Sequence, residues 1–112
     1  IHMEGSCLSG ILKISFLFGL YGLKFAGLST FATAIAIAVL SGVVLSGIPG
    51  GGLVGEMLIV SLYGFPPEAF PVIATIGFLV DPAATMVNAT GDTASAMLVA
   101  RIIEGKGWFQ KT

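Results

Sequence analysis

The feature that most limits the fold is the run Gly47-Ile48-Pro49-Gly50-Gly51-Gly52, set between two apolar stretches that are too short to cross a membrane. Relative to Ala, each Gly costs a helix about 1 kcal/mol and each Pro about 3, so no helix is expected to pass through this run. Before it, Thr30–Ser46 is rich in Ala, Ile and Val and holds no charge. After it, Leu53–Tyr63 ends at Gly64-Phe65-Pro66-Pro67. At 1.5 Å per residue the two arms span about 25 and 16 Å, whereas a hydrocarbon core is about 30 Å thick. The pair reads as a re-entrant hairpin with its tip at 46–52. Exposed backbone at such a tip is tolerated only where it faces protein or a water-filled cavity. The tip is therefore a site candidate.

Lipid as the solvent follows from composition. Of 112 residues, 55% are hydrophobic and 16 more are Gly, against about 45–50% apolar with Gly included in soluble domains. Charged residues make up 10%, against about 25%, and a small soluble domain could not hide so much apolar surface. The net charge of −1 offers no basic field for nucleic acid. The lone Cys7 excludes an internal disulfide and a cysteine metal cluster, and reads as a packed helical side chain. The start, Ile1-His2-Met3-Glu4-Gly5-Ser6, has neither a charged n-region nor a cleavage site. It is expected to be the opening of a fragment, with His2-Met3 as a cloning scar the competing explanation.

Two further stretches complete the chain. Cys7–Tyr21 carries one charge, Lys13, expected to snorkel or to pack against a neighbour. From Pro71, a good first helical position, the sequence stays helix-compatible to Glu104, with Val72–Glu104 about 50 Å long and Pro82 expected to kink it. Arg101, Lys106 and Lys111 beside Trp108 mark that end as interfacial and cytoplasmic. The expected fold is an all-α membrane protein. Residues 1–28 would form a helical stretch and a connection, 29–64 the re-entrant hairpin, and 65–112 the long kinked last transmembrane helix with its tail.

The chemistry concentrates on that last helix. Asp81, Thr85, Asn88, Asp92 and Ser95 fall within an arc of roughly 80° at about 100° per residue. An intramembrane carboxylate costs about 2.5–3.5 kcal/mol, so two would not persist against lipid. They must face protein, water or a cation. Hard cations take oxygen ligands, and ammonium groups pair with the same carboxylates. A polar seam that only glues helices would explain Thr and Ser, but not two Asp. Glu4 is a third carboxylate in an apolar setting, or a solvated chain end; Glu68 reads as a solvated loop residue. The Gly-rich run lacks the Lys-Ser/Thr pair of a phosphate loop, and composition argues against a soluble nucleotide-binding enzyme.

These residues resemble a known family, the dicarboxylate/amino acid:cation symporters, also called the glutamate-transporter family. Thr85-Met86-Val87-Asn88-Ala89-Thr90-Gly91-Asp92 is similar to its last-helix motif without the leading Arg. Ser46-Gly47-Ile48-Pro49-Gly50-Gly51-Gly52 is similar to the tip of its second hairpin, and His2-Met3-Glu4-Gly5-Ser6 to the break in its seventh helix. The resemblance implies a substrate site in which Asp81 holds the ammonium and Asn88 the main-chain carboxylate. Thr85 and Ser6 would line that pocket, with the backbone at Ile48 and Gly52 closing over it. It further implies three cation sites: Asp92 with Asn88 and backbone near His2; Met3 with backbone oxygens from Gly42 through Val43 to Leu45; and Glu4 with His2. A sodium ion would drive transport, with proton coupling open because His2 titrates near neutral pH. The resemblance makes the chain a fragment of a larger transport domain, with residues 1–28 as the second half of a broken transmembrane helix plus a connection. It implies a homotrimer in the plasma (inner) membrane for the full-length protein, with the hairpin as gate and no covalent chemistry.

Two departures bear on specificity. The Arg that reads acidic side chains in the family is Ala84 here, and the Asp seven positions earlier is Gly77. Losing both halves of an ion pair is coherent, since a lone survivor would be an unpaired buried charge. The expected substrate is thus a neutral amino acid. A dicarboxylate or acidic amino acid, or a small structural or pore-forming membrane protein, are the alternatives.

Overall fold

The computed structural model describes residues 3–45 and 47–110, with the backbone alone at 44, 45 and 110. Four helices follow in order: α1 (Glu4–Leu20), α2 (Leu28–Leu45), α3 (Gly51–Tyr63) and α4 (Ala69–Glu104), with a short 3-10 turn at Trp108–Gln110. The chain is all-helical, as expected. At 36 residues, α4 is about 54 Å long and is the one described helix long and apolar enough to cross a membrane. Its helical assignment runs unbroken through Pro82.

The Gly-rich run is shorter as a turn than the sequence implies. Gly50 adopts φ 74°, a left-handed value that a Cβ would strain, and α3 begins at the next residue. Gly51 and Gly52 are therefore helical rather than part of the tip. The first turn of a helix makes few of its own N–H bonds, so glycine is tolerated there. Gly51 instead donates to Ile48 O at 2.8 Å, which closes the turn. Likewise α1 starts at Glu4, ahead of the expected Cys7, and α4 at Ala69, ahead of Pro71. Pro71 then sits in the first turn, where its missing N–H costs nothing.

Helices α1 and α3 end alike. Gly22 (φ 67°) and Gly64 (φ 67°) reverse the chain, and the following amides bond back, Leu23 N to Phe18 O at 2.7 Å and Phe65 N to Val60 O at 3.0 Å. These are glycine-terminated helix caps with an apolar residue just beyond. Both ends lie in one aromatic cluster: Phe18 packs edge-on against Phe25, Tyr63 and Phe65, and Tyr21 stacks on Phe65. Phe31 of α2 joins through Phe25. Below it lies the core of Ile14, Leu17, Ala34, Ile59, Val60, Ala69 and Ile73. Helices α1 and α3 thus run toward the aromatic end, and α2 and α4 away from it. Outside this core most large apolar side chains face outward, Phe78, Leu79 and Ile102 among them, as the surface of a lipid-solvated protein does.

The tightest helix contact is between α1 and α4. A Cβ at Gly5 would overlap the Ala84 carbonyl and lie 2.9 Å from Ala84 Cα, and backbone cannot step aside as a flexible side chain can. Gly5→Ala is expected to destabilise the full-length protein by about 1–3 kcal/mol, read as a lower thermal midpoint in detergent. Gly19→Ala, where nothing lies within 4 Å of the added carbon, should instead hold or raise the midpoint, by up to about 1 kcal/mol.

Candidate functional site

A cavity of about 390 Å³ lies between the start of α1, the turn joining α2 to α3, and the middle of α4. Its wall includes Met3, Ser6, Gly42, Ile48, Gly52, Gly77, Asp81 and Ala84. Of the expected substrate residues, Ser6, Ile48, Gly52 and Asp81 share that wall, as do both specificity positions. Thr85 and Asn88 lie on α4 one and two turns beyond Asp81 and are not part of it. Pro82 removes the amide that would bond the Phe78 carbonyl four residues back, and Phe78 also lines the cavity.

Asn88 faces α1. Its Oδ1 accepts a 2.8 Å bond from the Gly5 amide, and its Nδ2 donates to Ser6 Oγ at 3.0 Å. The Met3 sulfur lies 3.8 Å from the same nitrogen. The Gly5 amide is one of the first-turn donors that no helix satisfies internally, and Met3 supplies no side-chain cap. Asn88 provides that cap from 83 residues away. In this conformation its amide holds the end of α1 and orients Ser6 toward the cavity.

The expected cation ligands divide. Met3 lies against Gly42, 3.5 Å from where a Cβ would stand, and the Glu4 carboxylate fits against Gly91, 2.8 Å from such a carbon. Glu4 borders a second, shallower cavity with Met86, Val87, Thr90, Gly91 and Ala94. Asp92 is exposed on α4 and Val43 on α2. His2 and the Leu45 side chain lie outside the described residues. Among the described residues no three His, Cys, Asp or Glu side chains cluster as a metal site, so a sodium ion carried here would draw on backbone and amide oxygens as well.

The sequence did not single out Glu56. It is the one charge in Leu53–Tyr63, and its side chain is 4% exposed, paired with Lys13 at 2.7 Å. Lys13, 12% exposed, thus packs against a neighbour as one of its two expected outcomes held, and that neighbour is a buried carboxylate. Both residues line the cavity. The pair packs against Gly77: a Cβ there would overlap Glu56 Oε1 in this placement and stand 3.1 Å from Lys13 Nζ. Single, opposite charges in two separate apolar stretches were the available signal.

Four apolar helices with an outward-facing apolar surface enclose a largely apolar cavity that carries Ser6, Lys13, Glu56 and Asp81, as part of an integral membrane protein with charged groups at an internal site would. The model of the sodium:dicarboxylate symporter family matches residues 1–102, and the chain belongs to that family. The family is one of transporters, coupled in general to sodium. Among its relatives, excitatory amino acid transporter 3 of Mus musculus is 28% identical over 102 residues, covering 91% of this chain and 19% of the relative. Excitatory amino acid transporter 2 of Homo sapiens is 30% identical over 99 residues, covering 88% and 17%. The human neutral amino acid transporter A is 27% identical over 96 residues, covering 86% and 18%. The chain spans less than a fifth of the length of these relatives. No solved structure matches it.

Asn88→Ala strips the buried Gly5 amide of its acceptor, at a cost of about 1–3 kcal/mol. Asn88→Asp keeps the acceptor and loses the donor to Ser6, so its thermal midpoint should fall between that of Asn88→Ala and the parent, measured on the full-length protein.

Proposed function

We propose that this chain forms the substrate- and ion-binding part of a cation-coupled symporter for a neutral amino acid. The observation that carries this reading is the shared wall of one cavity: Asp81, Ile48 and Gly50 of the turn, Gly51 and Gly52 at the start of α3, and Ser6 are together, while Ala84 and Gly77 present no charge. Asp81 holds the substrate ammonium, aided by the Phe78 carbonyl that Pro82 leaves without a helical partner. Ser6 with the turn's backbone takes the carboxylate at the cavity wall; Asn88, which the family resemblance assigns to that carboxylate, holds Ser6 there from further along α4, with Thr85 one turn before it. Sodium, carried as co-substrate, binds at oxygens of Asp92 and Asn88, at Met3 with the backbone of 42–45, and at Glu4 with His2. Helices α2 and α3 are the re-entrant hairpin of segment 29–64, and their turn gates the cavity, its closure favoured when ion and substrate are both present. Segments 1–28 and 65–112 supply the broken helix and the kinked last span, with a cytoplasmic C-terminus, in a homotrimer.

One observation favours an acidic substrate, namely the Lys13 cation on the cavity wall. Its charge, however, is cancelled by Glu56 at 2.7 Å, and a substrate carboxylate placed beside that pair meets a like charge.

Uptake into proteoliposomes holding the full-length protein tests the reading. Neutral amino acids are expected to compete and aspartate not to, with uptake abolished when sodium is replaced. Potent competition by aspartate with none from neutral amino acids sinks the neutral assignment. Sodium-independent uptake that a proton uncoupler abolishes transfers the coupling to protons. Asp81→Asn removes a charge-assisted bond of about 1.5–3 kcal/mol, so apparent substrate affinity should fall about tenfold or more.

A further inference from the structure

We propose that the Lys13–Glu56 pair is the side-chain selectivity element of the cavity and that it selects uncharged, hydrogen-bonding side chains. The proposal rests on the transport reading above and names the class of neutral substrate. Three observations carry it.

The pair is part of the cavity wall, built from different elements: Lys13 from α1 and Glu56 from α3, beside Gly77 of α4. Its charges cancel at 2.7 Å. A carboxylate side chain placed there is repelled by Glu56, and a cationic one by Lys13. Finally, its hydrogen-bonding capacity is not spent. An ammonium has three donors, and among the described residues Lys13 makes one bond, to Glu56 Oε1. Glu56 Oε2 is buried with no hydrogen-bond partner among the described residues. The terminal carboxylate torsion is soft, so either oxygen can turn to a ligand without breaking the helix packing.

A hydroxyl or amide side chain, which both donates and accepts, supplies these missing partners. An aliphatic side chain of the same size excludes water and supplies none, and buried polar groups left unpaired are what make a site reject such an analogue. Because Glu56 stands on the second arm of the hairpin, the reading group belongs to the same element as the turn over the cavity.

The test compares near-isosteric substrates in sodium-driven uptake by the full-length protein: threonine against valine, and asparagine against leucine. The parent protein is expected to favour the polar member of each pair by about tenfold or more in kcat/KM. Lys13→Met alone strands a buried carboxylate, so the informative variant is Lys13→Met with Glu56→Met, which removes both charges. Its polar-to-aliphatic ratio is expected to fall to about one or below. If that variant is not recovered folded, the swap Lys13→Glu with Glu56→Lys keeps a pair in reversed order, and a ratio within about twofold of the parent supports the proposal. A parent that prefers valine and leucine, a double-Met variant with the parent's ratio, or a folded swap that loses the preference overturns it while leaving the transport reading intact. Absence of any amino-acid uptake by the parent overturns both.

Discussion

The arrangement depends on how closely α1 approaches α4. The two helices run antiparallel, and where they are nearest, Gly5 lies directly on the backbone of Ala84. That spacing lets the Asn88 side chain reach across and satisfy the first turn of α1, which has no cap of its own. In a lipid environment apolar contact alone gives helices little reason to associate, and close packing of small residues with a few interhelical hydrogen bonds takes over. The α1–α4 seam has both. It also fixes Ser6 at the cavity wall and sets Met3 and Glu4 on either side of the helix start, toward α2 and toward α4.

The second organising contact is a pair of charges in an otherwise apolar interior. On α4 the positions Gly77 and Ala84 carry no charge. The ion pair beside Gly77 is contributed by α1 and α3. With no side chain at Gly77, the Glu56 carboxylate lies directly against α4, and a Cβ there would make it shift. A buried pair is weak evidence for stability, because desolvation offsets most of the Coulombic gain, yet removing one partner is severe.

Much of this was legible in the sequence because glycine, proline and charge are costly in helices that face lipid. The Gly/Pro run announced a turn between short helices, and the stripe from Asp81 to Ser95 announced a polar face on the long one. Three features were not legible. The helical state of Gly51 and Gly52 depends on the left-handed Gly50 just ahead of them, which no propensity reports. The role of Asn88 as a remote cap is a tertiary fact, since nothing local tells a helical Asn which orphan amide it will meet. Lys13 and Glu56 are 43 positions apart, and each alone resembles a tolerated surface charge. Only the antiparallel placement of α1, α2 and α3 brings them together.

The aromatic cluster at the far end of the bundle has a mechanical corollary. Phe18, Phe25, Phe31, Tyr63 and Phe65 tie the last turn of α3 and the first turn of α2 to α1, while a glycine-rich bend joins the two helices at their other ends. The rings form the base of a two-helix lever whose other end borders the cavity. With 13 residues in α3, the lever is about 20 Å long. A tilt of about ten degrees about that base then carries the bend some 3–4 Å, by the same helix rise. A displacement of that order is comparable to the diameter of a water molecule. A tilt of that size at the rings would change the width of the cavity beside the bend by about one water molecule.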